Sequence, residues 1–233
     1  IRKPKRRPAP VKPPVAIERA YFRSINSAIL SPIVRELRQQ FETATTLEEL
    51  NHTVDRIFNA YVSKDSAKAV AAQGLRRIER YHRAKIIKTL APALGVDLKN
   101  IMSEASIAPI MSQRIAANAD LIVSVSSRLK NQLTEGIQQV FTEKGFDQQA
   151  LTEMAVGRFG VSATNAKRIA RDQTNKTIGD LTKVRHEPAG ITEYIWRTAE
   201  DERVVGEPGG LYPTGNSRHM NHAERDGKRF RWD

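Results

Sequence analysis

The chain has 233 residues, with 38 Lys and Arg against 26 Asp and Glu, a net charge of +12 and no cysteine. Its hydrophobic fraction of 39% suits one large core or two small ones, and its longest apolar run, Leu121 to Val125, is far shorter than the roughly 20 residues of a membrane span. These figures predict a soluble protein in a reducing compartment, exclude disulfides and thiolate metal sites, and ask for a polyanionic neighbour such as nucleic acid or an acidic protein.

The opening stretch, "IRKPKRRPAPVKPP", carries Arg2, Lys3, Lys5, Arg6, Arg7 and Lys12 and no acid, interleaved with prolines. Proline fixes φ and removes backbone donors, so residues 1–16 are expected as an extended arm outside any core. The arm suits DNA phosphates or an acidic partner; the plainer reading is a solvated charge run. The chain opens on Ile and closes on Asp within a strand pattern, so both ends read as trimmed.

Residues 17–111 are expected to be a helical region. Ser31 before Pro32 reads as an N-cap with proline at the first helical position, giving a helix over about 32–42 with Ile33, Val34, Leu37 and Phe41 on one face. Thr46 and Glu49 form a capping box for a second helix, whose stripe is Leu47, Leu50, Val54, Ile57, Phe58 and Tyr61. A third runs over about 66–90, with Leu75, Ile78, His82 and Ile86 on one side. His82 reads as a packed or surface histidine, because no second ligand lies one turn away. A shorter helix near 98–108 is expected to break at Pro109.

The longest regular segment follows. Ile115, Ala119, Ile122, Ser126, Leu129, Leu133, Gly136 and Val140 alternate spacings of four and three, the pattern of a helix–helix seam that small residues allow to pack closely. Lys144-Gly145 supplies its C-cap. Residues 151–176 then resemble a helix-turn-helix, with Gly160 at the turn, Ser162 as a cap and Asn165, Lys167, Arg168 and Arg171 facing phosphates. Ala155 stands one position out of that motif's register, and an ordinary helical hairpin accounts for the same residues. Pro188-Ala189-Gly190 ends the second helix. "ITEYIWRT" and "KRFRW" alternate as strands, setting Tyr194 and Trp196, then Phe230 and Trp232, on single faces.

The segments "AKRIARDQTNKTIGDLTKVR", "AGITEYIWRTAEDERV" and "RHMNHAERDGKRFRWD" together resemble the C-terminal domain of the phage Mu F-like minor head proteins, the head morphogenesis family of tailed phages. The matching positions are Ile169 to Asp172, Trp196, Thr198, Asp201, Arg203, His222, Asp226 and Gly227, and the resemblance covers about residues 112–233. This chain inserts "GEPGGLYPTGNS" between the Asp-x-Arg turn and the histidine, which lengthens that loop. The resemblance implies a structural component of the virion made in few copies, located at the portal of the phage head and assembled in the host cytoplasm. Its implied partners are the portal protein, other head proteins and double-stranded viral DNA bound without sequence preference. It establishes no enzyme activity; no cofactor is expected beyond a structural divalent ion, and the short apolar runs argue against membrane association.

The fold class expected is mainly α: a multi-helix elongated bundle with a small C-terminal α+β domain closed by a β-hairpin, and an extended basic N-terminal arm. Trp196, Asp201, Arg203, His222, Asp226, Gly227 and Trp232 form its structural C-terminal motif. Asp201 and Arg203 read as a turn with an internal ion pair, or as a phosphate-facing arginine. Two alternatives remain. One is a helix-turn-helix DNA-binding protein. The other is a metal-dependent nuclease using His219 and His222 with Asp201, Glu224 or Asp226. The spacing of the two histidines, three apart, disfavours catalysis and leaves a structural divalent ion or simple loop closure.

Overall fold

The computed structural model describes residues 11–94, 103–198, 204–206, 211 and 221–232, apart from the side chain of residue 104. In chain order it contains α1 (Val15–Ile25), a π-helical stretch (Asn26–Leu30), α2 (Ser31–Phe41), α3 (Leu47–Tyr61), α4 (Lys64–Leu94), α5 (Glu104–Lys144), α6 (Gln148–His186), β1 (Glu193–Ile195), α7 (His222–Arg225) and β2 (Arg229–Arg231). Two compact units divide at residues 182 and 183. A boundary at 111 and 112 lies inside α5. The first unit is a helical bundle, and the second is a small α+β unit whose two strands pair antiparallel.

The expected start of a helix at Ser31 is corrected. Helical backbone runs from α1 through the π stretch into α2, and Ser31 has helical dihedrals with its hydroxyl accepting from Asn26 Nδ2 at 2.9 Å. Tyr21, Ile25, Ile29, Leu30, Ile33, Leu37 and Phe41 are all buried. That unbroken apolar stripe outweighs the local cap signal. The wider π turn just before Pro32 lies where the proline ring would otherwise crowd the carbonyl four residues back. The Thr46–Glu49 capping box is present as expected, with the Glu49 N–H donating to Thr46 Oγ1 at 3.2 Å.

Helix α4 extends beyond the expected range at both ends, and Pro92 sits in its last turn. The predicted break at Pro109 does not occur: α5 continues through it, with Ile107 and Met111 buried on either side. Proline in an early turn removes one hydrogen bond, and burial across it keeps the segment helical. Ser103 caps this helix, accepting from the Ser106 N–H at 3.3 Å. The α5 seam forms as expected: Ala119, Ile122, Ser126, Leu129, Leu133 and Gly136 are buried, and Ile115 and Val140 are half-buried. At Gly136 the neighbour is Met154 of α6, so close that a Cβ would displace its sulfur. Gly145 ends the helix at φ 68°.

Helix α6 overturns both the helix-turn-helix and the hairpin. It is continuous through Gly157 and Gly160, and Ser162 is buried within it, capping nothing. Leu151, Ala155, Phe159, Ser162, Ala166, Ala170, Thr174, Thr177 and Leu181 are buried at spacings of three and four, without a phase break at the glycines. Both glycines face open space, and each costs the helix about 1 kcal/mol relative to alanine without ending it.

A polar network fastens the first unit from within. The buried Tyr21 hydroxyl donates to Asn118 Oδ1 at 2.8 Å; Asn118 Nδ2 donates to the Arg114 carbonyl at 2.7 Å and to Gln173 Oε1 at 3.2 Å. Burial pushes the Tyr21 phenol well above its ordinary pKa, so it remains a donor. His82 is fully buried and shares a 2.9 Å hydrogen bond with Thr182, the packed outcome expected.

Candidate functional site

The C-terminal unit gathers most of the described motif residues into one loop closure. After α6 a short 3-10 turn, Glu187–Ala189, leads into β1, as the Pro-Ala-Gly signal predicts. Strand β1 pairs with β2 in the register Glu193 with Arg231, Tyr194 with Phe230 and Ile195 with Arg229. Period-two alternation places the rings on one face. Tyr194 stacks on Trp232 at 4.5 Å and on Phe230 at 5.8 Å, and Phe230 meets Trp196 edge-on at 6.0 Å. The Arg225 guanidinium covers Trp196 at 5.7 Å and Phe230 at 5.5 Å.

Helix α7 is capped by Asn221, whose Oδ1 accepts from the Glu224 N–H at 3.0 Å. Its first residue, His222, donates its backbone N–H to the Val205 carbonyl at 2.9 Å and sets its ring edge against Trp196 at 5.4 Å. Asp226 then accepts from the Thr198 backbone N–H at 2.8 Å and faces Arg197 Nη1 at 3.3 Å. Gly227, at φ +74°, returns the chain into β2 and donates to the Trp196 carbonyl at 3.0 Å. A side chain at that φ is strained, so glycine is the residue the turn requires.

Trp196, Thr198, His222, Asp226 and Gly227 are thus brought together, and Trp232 joins them through the aromatic face. Asp226 is committed to donors on Thr198 and Arg197, and His222 is packed against an indole. Both side chains hold the loop shut. Asp201, Arg203 and His219 lie outside the described residues, as do Arg2, Lys3, Lys5, Arg6 and Arg7 of the arm. Among the described residues no three His, Cys, Asp or Glu side chains cluster to hold a metal ion.

His186 gives this unit a pH dependence. Its ring edge meets Trp232 at 6.0 Å, and desolvation lowers its pKa below the ordinary value of 6.5. The folded unit therefore resists a proton that the unfolded chain accepts. Stability is full above that ordinary value and is lost as pH falls toward the lower folded one. Tryptophan fluorescence is expected to report loosening of the unit below pH 6.5, and His186→Gln to remove the transition.

In the first unit, the α6 residues suited to phosphates take different roles. Lys167 lies over the Phe22 ring at 5.3 Å. Asn165, Arg168 and Arg171 line an open groove of about 640 Å³ between α5 and α6, together with Arg128, Asn175 and Lys176. Lys176 is paired with Asp172 at 2.9 Å. The outward row of α4 went unnoticed in the sequence: Arg76, Arg77, Arg80, Arg83 and Lys88 are exposed opposite Leu75, Ile78, His82 and Ile86. The signal was available, since once the buried stripe is phased the basic residues fall on the complementary face.

No family model and no solved structure matches the chain. A protein of Haemophilus influenzae (strain Rd), described as an uncharacterized protein, is 23% identical over 215 residues. The match covers 91% of this chain and 39% of the relative, so the chain spans well under half of the length of that protein.

Proposed function

We propose that the chain is a structural minor head protein of a tailed phage, which associates with the portal and contacts the genome without sequence preference during head assembly, packaging or ejection. The observation that carries the reading is the loop closure of the C-terminal unit. Five positions of the resemblance, Trp196, Thr198, His222, Asp226 and Gly227, meet in one small hydrogen-bonded and aromatic cluster. A motif whose members pack on one another is the expected form of a structural clasp. The net charge of +12 and the basic arm supply the electrostatic attraction that sequence-independent DNA contact needs.

Co-expression with the portal protein of the same phage tests the reading. The chain is expected to co-purify with the portal ring and to bind duplex DNA of any sequence, and deletion of residues 1–14 to weaken both. Absence of both interactions in the full chain would overturn the proposal. Metal-dependent cleavage of duplex DNA, lost in His222→Ala, would replace it with the nuclease reading.

A further inference from the structure

We infer that the outward face of α4 is a track for the phosphate backbone of duplex DNA, with the chain tethered at the edge of that track at Lys12. The inference rests on the DNA-contact reading above and gives it named residues on a rigid element. The stretch "LRRIERYHRAKIIK" buries Leu75, Ile78, His82 and Ile86, at most 1% exposed, so the bundle fixes which way the other side of the helix points. Arg76, Arg80 and Arg83 then follow one another at spacings of four and three along the solvent side, with Arg77 and Lys88 alongside.

None of these five side chains has a hydrogen bond or ion pair among the described residues. Elsewhere in the same unit lysines do find partners, as in Lys64 with Asp120 at 3.5 Å and Lys130 with Asp55 at 2.8 Å. Like charges one turn apart disfavour a helix. An unpaired row of five is therefore a feature that an external anion relieves.

The shape of the row selects the anion. From Arg76 to Lys88 the helix rises about 18 Å, a length over which duplex DNA presents about ten charges at one per roughly 1.7 Å. Four of the five cations are arginines, whose planar forks match phosphate oxygens. A protein partner would instead need an apolar, aromatic-rich centre depleted of charge, and Ile87, 47% exposed, is the one large apolar side chain on this row. The arm joins the face at Tyr81, whose hydroxyl donates to the Lys12 carbonyl at 2.9 Å. Tyr81 lies one turn from both Arg77 and Lys85, and Lys85 Nζ sits 5.8 Å from its ring centre. The described end of the arm, at Lys12, is therefore held beside the row.

The test measures the affinity of the full chain for a fluorescent duplex of random sequence across a range of salt. The triple variant Arg76→Gln, Arg80→Gln, Arg83→Gln is expected to bind at least about tenfold more weakly, and its log–log salt slope to be shallower by about 2.7. The same three changes to lysine keep the charges and are expected to keep the slope. A control triple with the same loss of charge, Arg128→Gln, Arg168→Gln, Arg171→Gln, is expected to change the slope far less. Because all the α4 positions are exposed, the helical circular dichroism of the variants should match the parent. An unchanged slope in the α4 glutamine triple would overturn the track, as would equal losses in both glutamine triples. Equal affinity of the parent for polyglutamate would assign the face to an acidic protein. Failure of the parent to bind any duplex would instead remove the DNA-contact reading on which the track rests.

Discussion

Replacing Gly74 with valine is expected to destabilise the helical unit by about 3 kcal/mol, the upper range for overpacking a filled core. A Cβ at this position would lie within 2.8 Å of three atoms of the Tyr21 ring. That ring cannot swing aside freely, because its hydroxyl is fixed to Asn118, which also holds Gln173 and the Arg114 carbonyl. Displacing it would leave Asn118 Oδ1 buried without its donor, and a buried unsatisfied acceptor costs about 1–3 kcal/mol by itself. Denaturant unfolding followed by helical circular dichroism measures the effect. Gly74→Ala should move in the same direction by a smaller amount. Gly157→Ala, which meets open space, should instead gain up to about 1 kcal/mol from helix propensity. Equal behaviour of the two glycines toward alanine would show that the Tyr21 contact does not constrain the bundle.

The contrast between these two glycines also explains where the sequence was legible. Patterns set by burial were readable: the α5 seam, the inward row of α4 and the alternating rings of the two strands all fall where their spacing places them. Local breaker residues misled. Ser31-Pro32, Pro109 and Gly160 carry stop or turn signals, yet each lies inside helical backbone because the apolar stripe continues across it. Tertiary burial outweighed a local preference of a few kcal/mol at most. No motif marks the α4 cations, and only the phase of the buried face gathers them. In the C-terminal unit the aromatic alternation placed both strands, and Asp226 and Gly227, named there as motif positions, stand at the turn between α7 and β2. What the sequence did not disclose there was the partner of Asp226, a backbone N–H at Thr198.

Trp196 packs at the centre of the loop closure, and Trp196→Ala is expected to unfold the small unit while the helical unit remains intact. Trp196 touches His222, Phe230 and the Arg225 guanidinium through its ring. Its backbone donates to the Lys228 carbonyl at 2.9 Å and accepts from Gly227. Removing a large packed aromatic costs about 3–5 kcal/mol when buried, and somewhat less at this half-buried position. A unit spanning only Lys183–Asp233 has little core to absorb such a loss. Near-ultraviolet circular dichroism should lose its tryptophan signal and proteases should cut within the C-terminal unit, while the helical signal from α1–α5 persists. Trp196→Phe keeps an edge for His222 and Phe230 and is expected to retain the fold at a cost of about 1 kcal/mol. On the head-protein reading, the alanine variant keeps its affinity for duplex DNA, because the proposed phosphate track lies in the other unit, and loss of DNA binding in a variant whose helical unit remains folded would overturn that placement.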